Sequence, residues 1–344
     1  MKRAEITSLP SAVAHVAVVI PCFRVARQIL TVIAAVGPEV TRIYVVDDRC
    51  PEGSGRRVQA ECTDPRVRVL FHETNQGVGG AVISGYQAAM ADAADIVVKI
   101  DGDGQMDPRL LPRFIAPLLD GRADYTKGNR FYHLESLSGM PTIRLFGNAI
   151  LSFLSKIASG YWDLMDPSNG YTAIRGEVLR QLPLAKLDRR YFFESDMLFR
   201  LGTLRAVVAD IAMNARYQDE TSSLRIARVL REFPLKYLRS FAKRLFYVYF
   251  LRDFNACSVQ LLLGSALAAF GFCFGAFEWS RSIASGVTAT DGTVMLAALP
   301  IILGVQFLLA AASFDTANIP RQPIHPQLRD CGGAPPPPDS GARS

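Results

Sequence analysis

The sequence predicts an α/β domain on a doubly wound sheet, followed by a basic amphipathic segment and a hairpin of two membrane-spanning helices. Three observations lead there. Short apolar, largely β-branched runs at residues 16–20, 43–46, 67–71 and 96–100 alternate with stretches of helical spacing such as 81–94 and 110–119. Continuous runs of this kind indicate parallel strands covered by helices on both faces. Residues 224–253 then interleave Arg225, Arg228, Arg231, Lys236, Arg239, Lys243, Arg244 and Arg252 with Leu, Phe, Tyr and Val. Finally, residues 256–277 and 293–314 contain no charge, and each can cross about 30 Å of hydrocarbon as a helix.

With 344 residues the chain has room for one large domain or two ordinary ones. Hydrophobic residues make up 49% of it, and the mean hydropathy of +0.16 comes from the part after Cys257. The net charge of +6 gathers beside the apolar spans, without the aromatic-stacking or helix-turn-helix patterns of nucleic-acid readers. A lipid bilayer with anionic headgroups and a phosphorylated lipid are therefore the expected partners, and nucleic acid is not. Six scattered cysteines and four histidines form no zinc-binding spacing. Reduced thiols in a reducing compartment follow.

Residues 1–13 read as an extension. The apolar run 12–20 imitates a signal peptide, but it is short, is interrupted by His15 and ends in Pro21-Cys22-Phe23-Arg24. A buried first strand explains it better. The α/β domain then runs over 14–222. Two of its strands end directly in Asp47-Asp48 and Asp101-Gly102-Asp103, where doubly wound sheets bind ligands. Residues 223–254 are expected to lie in the membrane interface as amphipathic helices, a basic helix packed on the domain being the alternative. Residues 255–316 hold the spans, about 256–278 and 293–314. The linking loop carries only Glu278, Arg281 and Asp291. Lys and Arg before the first span place that flank in the cytoplasm, which makes this a multi-pass protein of the cytoplasmic membrane. Two buried core helices are the alternative. The Pro/Gly-rich tail 317–344 is expected to be disordered.

The sharpest local signal is Lys99-Ile100-Asp101-Gly102-Asp103-Gly104-Gln105-Met106-Asp107-Pro108. Two carboxylates one residue apart, on a Gly turn after a strand, can hold a hard divalent cation with positions left open for diphosphate oxygens. Gln105 can add a neutral oxygen. An ordinary Asp/Gly turn is the alternative.

Ile20-Pro21, Val45-Val46-Asp47-Asp48, Asn75-Gln76-Gly77-Val78-Gly79-Gly80-Ala81 and Asp101-Gly102-Asp103-Gly104-Gln105 resemble, in this order, the family 2 inverting glycosyltransferases of the GT-A fold. Gly128-Asn129-Arg130, Arg144 with Gly147-Asn148, and Phe193-Glu194-Ser195-Asp196 extend the likeness to the polyprenyl-phosphate branch, which includes dolichol-phosphate mannose synthases. It covers about residues 14–316.

The resemblance implies a Rossmann-like mixed sheet and transfer of a hexose from a nucleotide-sugar to polyprenyl (undecaprenyl) phosphate. UDP-hexose is the expected donor and GDP-mannose the alternative. Pro21, Asp47 and Asp48 would lie at the nucleotide pocket, Asp48 being the better candidate for base or ribose contact. Asp101, Asp103 and Gln105 would hold Mg²⁺ or Mn²⁺ against the diphosphate. Arg130 and Arg144 would bind the acceptor phosphate, a task suited to the guanidinium fork. Asp196 and Glu194 would contact the donor sugar or orient the arginines. A phosphomonoester is already largely ionised at pH 7, so a general-base role for Asp196 is the alternative. Tyr217, Glu220 and Ser222 would line the lipid entrance, and the hairpin would support a homo-oligomer. The family commonly shows Asp-Asp-Gly-Ser where this chain has Asp47-Asp48-Arg49-Cys50, and Arg takes positive φ less cheaply than Gly. The Asn75–Ala81 glycines allow either close backbone approach near the donor or a simple turn. Two rivals remain: a processive polysaccharide synthase, whose Q-x-x-R-W motif is absent, and a noncatalytic nucleotide-sugar-binding scaffold.

Overall fold

The computed structural model describes residues 14–132, 142–213 and 226–331. Seven strands form one sheet in the order β3-β2-β1-β4-β6-β5-β7. Their ranges are β1 (Val16–Cys22), β2 (Arg42–Asp47), β3 (Val67–Phe71), β4 (Ile96–Lys99), β5 (Tyr125–Asn129), β6 (Thr172–Arg175) and β7 (Val208–Ala212). The first four are the apolar runs expected from the sequence and are mutually parallel, β2 and β4 flanking β1. Strand β6 runs against both β4 and β5. The sheet is therefore mixed, as the resemblance implies, rather than wholly parallel.

Helices cover both faces. α1 (Ile29–Ala34), α2 (Ser54–Glu61), α3 (Val78–Ala91), α4 (Leu111–Leu119), α5 (Thr142–Ser159), α6 (Gly176–Gln181) and α7 (Phe193–Leu204) follow in chain order. Alternate residues of β1 and β2 point into two separate cores: Ala17, Val19, Tyr44 and Val46 to one, Val18, Ile20, Ile43 and Val45 to the other. Double-sided burial explains why these strands are apolar throughout. The glycine loop before α3 meets neighbouring backbone. A Cβ on Gly79 would lie 2.4 Å from the Asp188 carbonyl oxygen, so close approach, and not turn formation alone, selects glycine there.

Beyond the sheet domain, α8 (Ile226–Phe246) continues through a π-helical turn at Tyr247–Arg252 into α9 (Ala256–Ser285) and α10 (Asp291–Ala317). Both apolar helices are longer than the uncharged runs alone suggest. The Glu278–Arg281 pair at 3.5 Å and an αL cap at Gly286 let α9 extend past the charges. The two helices pack backbone to backbone: a Cβ on Gly271 would sit 2.6 Å from the Ala297 oxygen, and one on Gly304 would sit 2.6 Å from the Ala268 nitrogen. Glycine at these positions lets the two helix backbones approach closely. Both helices have the length and hydropathy of membrane spans, and little of either is buried.

One buried charge cluster ties the hairpin to the sheet domain. Asp315, in the last turn of α10, accepts from both Nη atoms of Arg244 at 2.7 and 2.9 Å, from the Tyr249 hydroxyl at 2.6 Å and from the Trp162 indole at 3.1 Å. Arg244 also donates to the Ile157 carbonyl at 2.9 Å.

Residues 318–331, expected to be disordered, return to the sheet domain and form α11 (His325–Cys331). The reason is Asp124. Wholly buried, it accepts the backbone N–H groups of Val207, Ile324 and His325 and contacts His325 Nδ1 at 2.8 Å. Arg329 adds a 2.7 Å bond to Glu177. A buried carboxylate of this kind demands partners, and the proline-spaced segment supplies them.

Removing one member of the Arg244–Asp315 pair strands the other. Arg244→Met or Asp315→Leu alone is expected to cost about 3–5 kcal/mol, and the double variant to recover most of it. Thermal unfolding in detergent micelles checks this; equal losses in singles and double would show that the pair is not coupled.

Candidate functional site

Sheet register brings the chemistry-bearing strand ends to one edge. Cys22 of β1 lies opposite Asp47 of β2, and Val19 of β1 opposite Lys99 of β4. Beyond these ends opens a cleft of about 810 Å³, lined by Pro21, Arg24, Asp48, Asp101, Asp103 and Arg190, among others. Its place at the carboxyl ends of parallel strands is where such sheets bind ligands.

Asp47 does not face this cleft. Its Oδ1 accepts the Cys50 N–H and its Oδ2 the Gly55 N–H, both at 2.7 Å, so it builds the β2–α2 turn. Asp48 does line the cleft and is itself buried. Its carboxylate accepts the backbone N–H groups of Gln76 and Gly77 at 2.8 and 2.7 Å and contacts His72 Nδ1 at 2.8 Å. Most of its acceptor capacity therefore holds the glycine loop in position. Arg49 adopts φ +53°, the left-handed geometry a glycine takes more cheaply, and its Nη1 donates to the Glu73 carbonyl at 2.9 Å. The departure from Asp-Asp-Gly-Ser thus leaves a left-handed turn in place. Cys50 accepts the Arg24 N–H and contacts Ser54 Oγ, and these bonds hold its thiol below the usual range against the opposing effect of burial.

The centre of the site is Lys99. Its ammonium is almost wholly buried and sits 3.0 Å from Asp101 Oδ1 and 3.0 Å from Glu194 Oε1. Burial alone would push its pKa down, but the two carboxylates hold it well above the normal lysine value. The Asp101 contact is an ion pair outside hydrogen-bonding geometry, so the buried Oδ1 accepts no hydrogen bond. Asp103 follows on the same turn, where Gly104 takes φ +79° and the Gln105 N–H bonds Asp103 Oδ1 at 2.9 Å. Among the described residues no group of three or more His, Cys, Asp and Glu gathers to enclose a metal. Two carboxylates at an open cleft instead suit a hard cation that shares its coordination with phosphate.

Arg130 is engaged with a carboxylate that the sequence reading overlooked. Its Nε and Nη2 bond Asp166 at 2.7 and 3.0 Å, and its backbone N–H bonds the same carboxylate at 3.2 Å. Burial would raise the Asp166 pKa, but Arg130 and Lys127 hold it below the usual carboxylate range. Lys127, wholly buried beside it, is lowered to about 8 by desolvation, against the pull of Asp166 and Asp210. Asp166 was findable: it opens the Asp166-Pro167-Ser168-Asn169-Gly170 turn, and a Cβ on Gly170 would lie 2.6 Å from Asp101 Oδ2. Arg144 falls in the first turn of α5, and its side chain lies outside the described residues. Tyr217, Glu220 and Ser222 lie outside them entirely.

Asp196 is not brought to the donor cleft. It is buried on α7, accepts the Asp188 N–H at 2.8 Å and pairs with Arg200 at 3.2 Å. Burial raises its pKa. Glu194, two residues earlier, is the α7 carboxylate that reaches the strand ends. Lys99 also carried a signal in the sequence, because a charge inside the apolar run 96–100 needs a buried partner.

Residues 17–182 match the profile of glycosyl transferase family 2. An undecaprenyl-phosphate mannosyltransferase from Micrococcus luteus is 32% identical over 171 residues, covering 49% of this chain and 69% of that one. A UDP-N-acetylglucosamine–dolichyl-phosphate N-acetylglucosaminyltransferase from Methanococcus voltae is 30% identical over 172 residues, 50% of this chain and 68% of that one. In structure, the chain is similar to glucosyl-3-phosphoglycerate synthase from Mycobacterium tuberculosis, solved with Mg²⁺ and uridine-diphosphate. The TM-score is 0.50 at 20% identity, covering 67% of this chain and 79% of that one, a likeness of fold. With its mixed sheet, its carboxylate-edged cleft and these relatives, the chain belongs to glycosyl transferase family 2 and is a glycosyltransferase of the GT-A fold.

Proposed function

We propose that this chain transfers a hexose from a nucleotide-sugar onto polyprenyl phosphate at the cytoplasmic face of a membrane, with inversion at the anomeric carbon. One juxtaposition supports this most: Asp101 and Asp103 border a cleft of about 810 Å³ in a chain that also carries two exposed apolar helices of spanning length. Asp101, Asp103 and Gln105 would hold Mg²⁺ or Mn²⁺. That ion would offset charge on the leaving nucleoside diphosphate.

The chain's own residues then do the following. Lys99, held by Glu194, fixes the Asp101 carboxylate. Asp48 holds the loop at Gln76 and Gly77 against the nucleotide side of the cleft. Arg24 and Arg190, at its rim, suit phosphate oxygens. Arg130, oriented by Asp166, and Arg144 receive the acceptor phosphate, which attacks without a general base because it is already ionised near pH 7. The hairpin holds the site at the bilayer, raises the local concentration of the lipid acceptor and offers a surface for self-association.

UDP-hexose is the donor we favour. A mannosyl donor is the second reading, supported by the name of the Micrococcus luteus relative.

Purified protein, undecaprenyl phosphate and a panel of UDP- and GDP-sugars are expected to yield sugar in the lipid fraction only with Mg²⁺ or Mn²⁺. Asp103→Ala should lower transfer at least about a hundredfold, given what electrostatic groups contribute at such sites. No lipid product with any donor from a folded protein would remove the reading. Arg130→Lys keeps the charge but loses the planar fork. It should raise the acceptor KM about tenfold and leave nucleotide affinity unchanged; an equal loss of nucleotide affinity would mean that Arg130 only supports the fold.

A further inference from the structure

A second cleft, of about 590 Å³, lies between α7 and α8 and is separate from the donor cleft. The loop before α7 walls both: Arg190 and Tyr191 face the donor cleft, while Asp188 and Phe192 face this one. Five cations line it, namely Lys186, Arg200, Lys236, Arg239 and Lys243, against two carboxylates. Both carboxylates are engaged, Asp188 with Lys236 and Asp196 with Arg200. Lys186, Arg239 and Lys243 are exposed and pair with no carboxylate among the described residues. The cleft therefore holds a net positive charge. Apolar side chains, including Leu182, Phe199 and Leu204, share its remaining walls with Thr203, Ser240 and Tyr247.

Helix α8 shows which way this charge faces. Tyr237, Ser240 and Arg244 are buried against the sheet domain. One position before each of the first two, Lys236 and Arg239 turn into the cleft, and Lys243 follows one turn later. Rotated on again, Leu235, Leu238 and Phe246 form an exposed apolar stripe that continues to Leu251 and Phe254, just before the first spanning helix. The cations thus lie along the border between an apolar stripe leading to the spans and the protein surface. In a bilayer, that border is the headgroup level.

We infer that the α7–α8 cleft binds the headgroup of an anionic phospholipid, with its phosphodiester among Lys186, Arg239 and Lys243 and its acyl chains along the Leu235–Leu238–Phe246 stripe. The volume suits a glycerol-phosphate headgroup. The occupant is a bilayer lipid distinct from the acceptor, and it seats the catalytic domain at a fixed height. This rests on the membrane-seated reading above.

The test uses the full chain in nanodiscs of phosphatidylcholine with a minor fraction of phosphatidylglycerol. Lipids retained after release into detergent are counted by native mass spectrometry. The wild type should retain phosphatidylglycerol in preference to phosphatidylcholine. Lys186→Gln/Arg239→Gln/Lys243→Gln should retain about tenfold less, since each cation near a lipid surface contributes measurably. The milder Lys186→Gln/Lys243→Gln should fall between, with nucleotide binding unchanged in both. Equal retention by wild type and variants, or retention of the two lipids in their bulk ratio, overturns the inference. So does displacement by inorganic phosphate, which indicates a generic anion site, or by undecaprenyl phosphate, which makes the cleft the acceptor's. A chain that does not enter the bilayer overturns the membrane reading together with this inference; insertion without lipid preference overturns this inference alone.

Discussion

The ammonium of Lys99 is the constraint around which the site is arranged. It lies at the end of a strand buried on both faces, where an uncompensated charge would be prohibitively costly. Two carboxylates compensate it: Asp101, two residues on, and Glu194 from the first turn of α7. The same pair of contacts locks α7 against the β4 end of the sheet. Consecutive residues of α7 then point in three directions. Glu194 reaches the strand ends, Ser195 bonds the Tyr237 hydroxyl on α8 at 2.8 Å, and Asp196 turns to Arg200 and the second cleft. One helical turn thus joins the edge of the candidate site to the helix that precedes the two long apolar helices.

Buried charge recurs as the means of joining parts. Asp124 draws the C-terminal segment back onto the sheet, Asp166 holds Arg130, and Asp315 holds Arg244, Tyr249 and Trp162 together. Apolar packing builds the two cores on either side of the sheet, but it has no direction. The paired charges have direction, and they set how the hairpin and the tail meet the domain.

Much of this was legible in the sequence because it depends on local pattern. The four parallel strands are apolar on both faces, so their runs stand out without any knowledge of partners. The two long apolar helices show by length and lack of charge, and α8 by its spacing of Lys and Arg. What was not legible depends on partners far along the chain. Asp47 and Asp48 look alike in sequence, yet Asp47 is consumed by the N–H groups of its own turn and Asp48 by a loop nearly thirty residues on. Lys99 pairs with Glu194 across 95 positions, and Asp124 meets His325 across 201. Residues 318–331 are ordered although Pro320, Pro323 and Pro326 resemble a linker, because the group that orders them lies in the sheet domain. Asp196 belongs to the family-like segment, but helical geometry turns it about 200° from Glu194 on α7, away from the donor cleft.

The proposed chemistry places a nucleoside diphosphate and a divalent cation together against Asp101 and Asp103. A structure of the full chain soaked with UDP and Mn²⁺, with anomalous scattering used to locate the metal, tests this most directly. The account predicts one Mn²⁺ peak within coordination distance of both carboxylates and the diphosphate, with the base on the Asp48 side of the cleft. A metal held elsewhere, or a nucleotide bound without contact to Asp101 and Asp103, would contradict it.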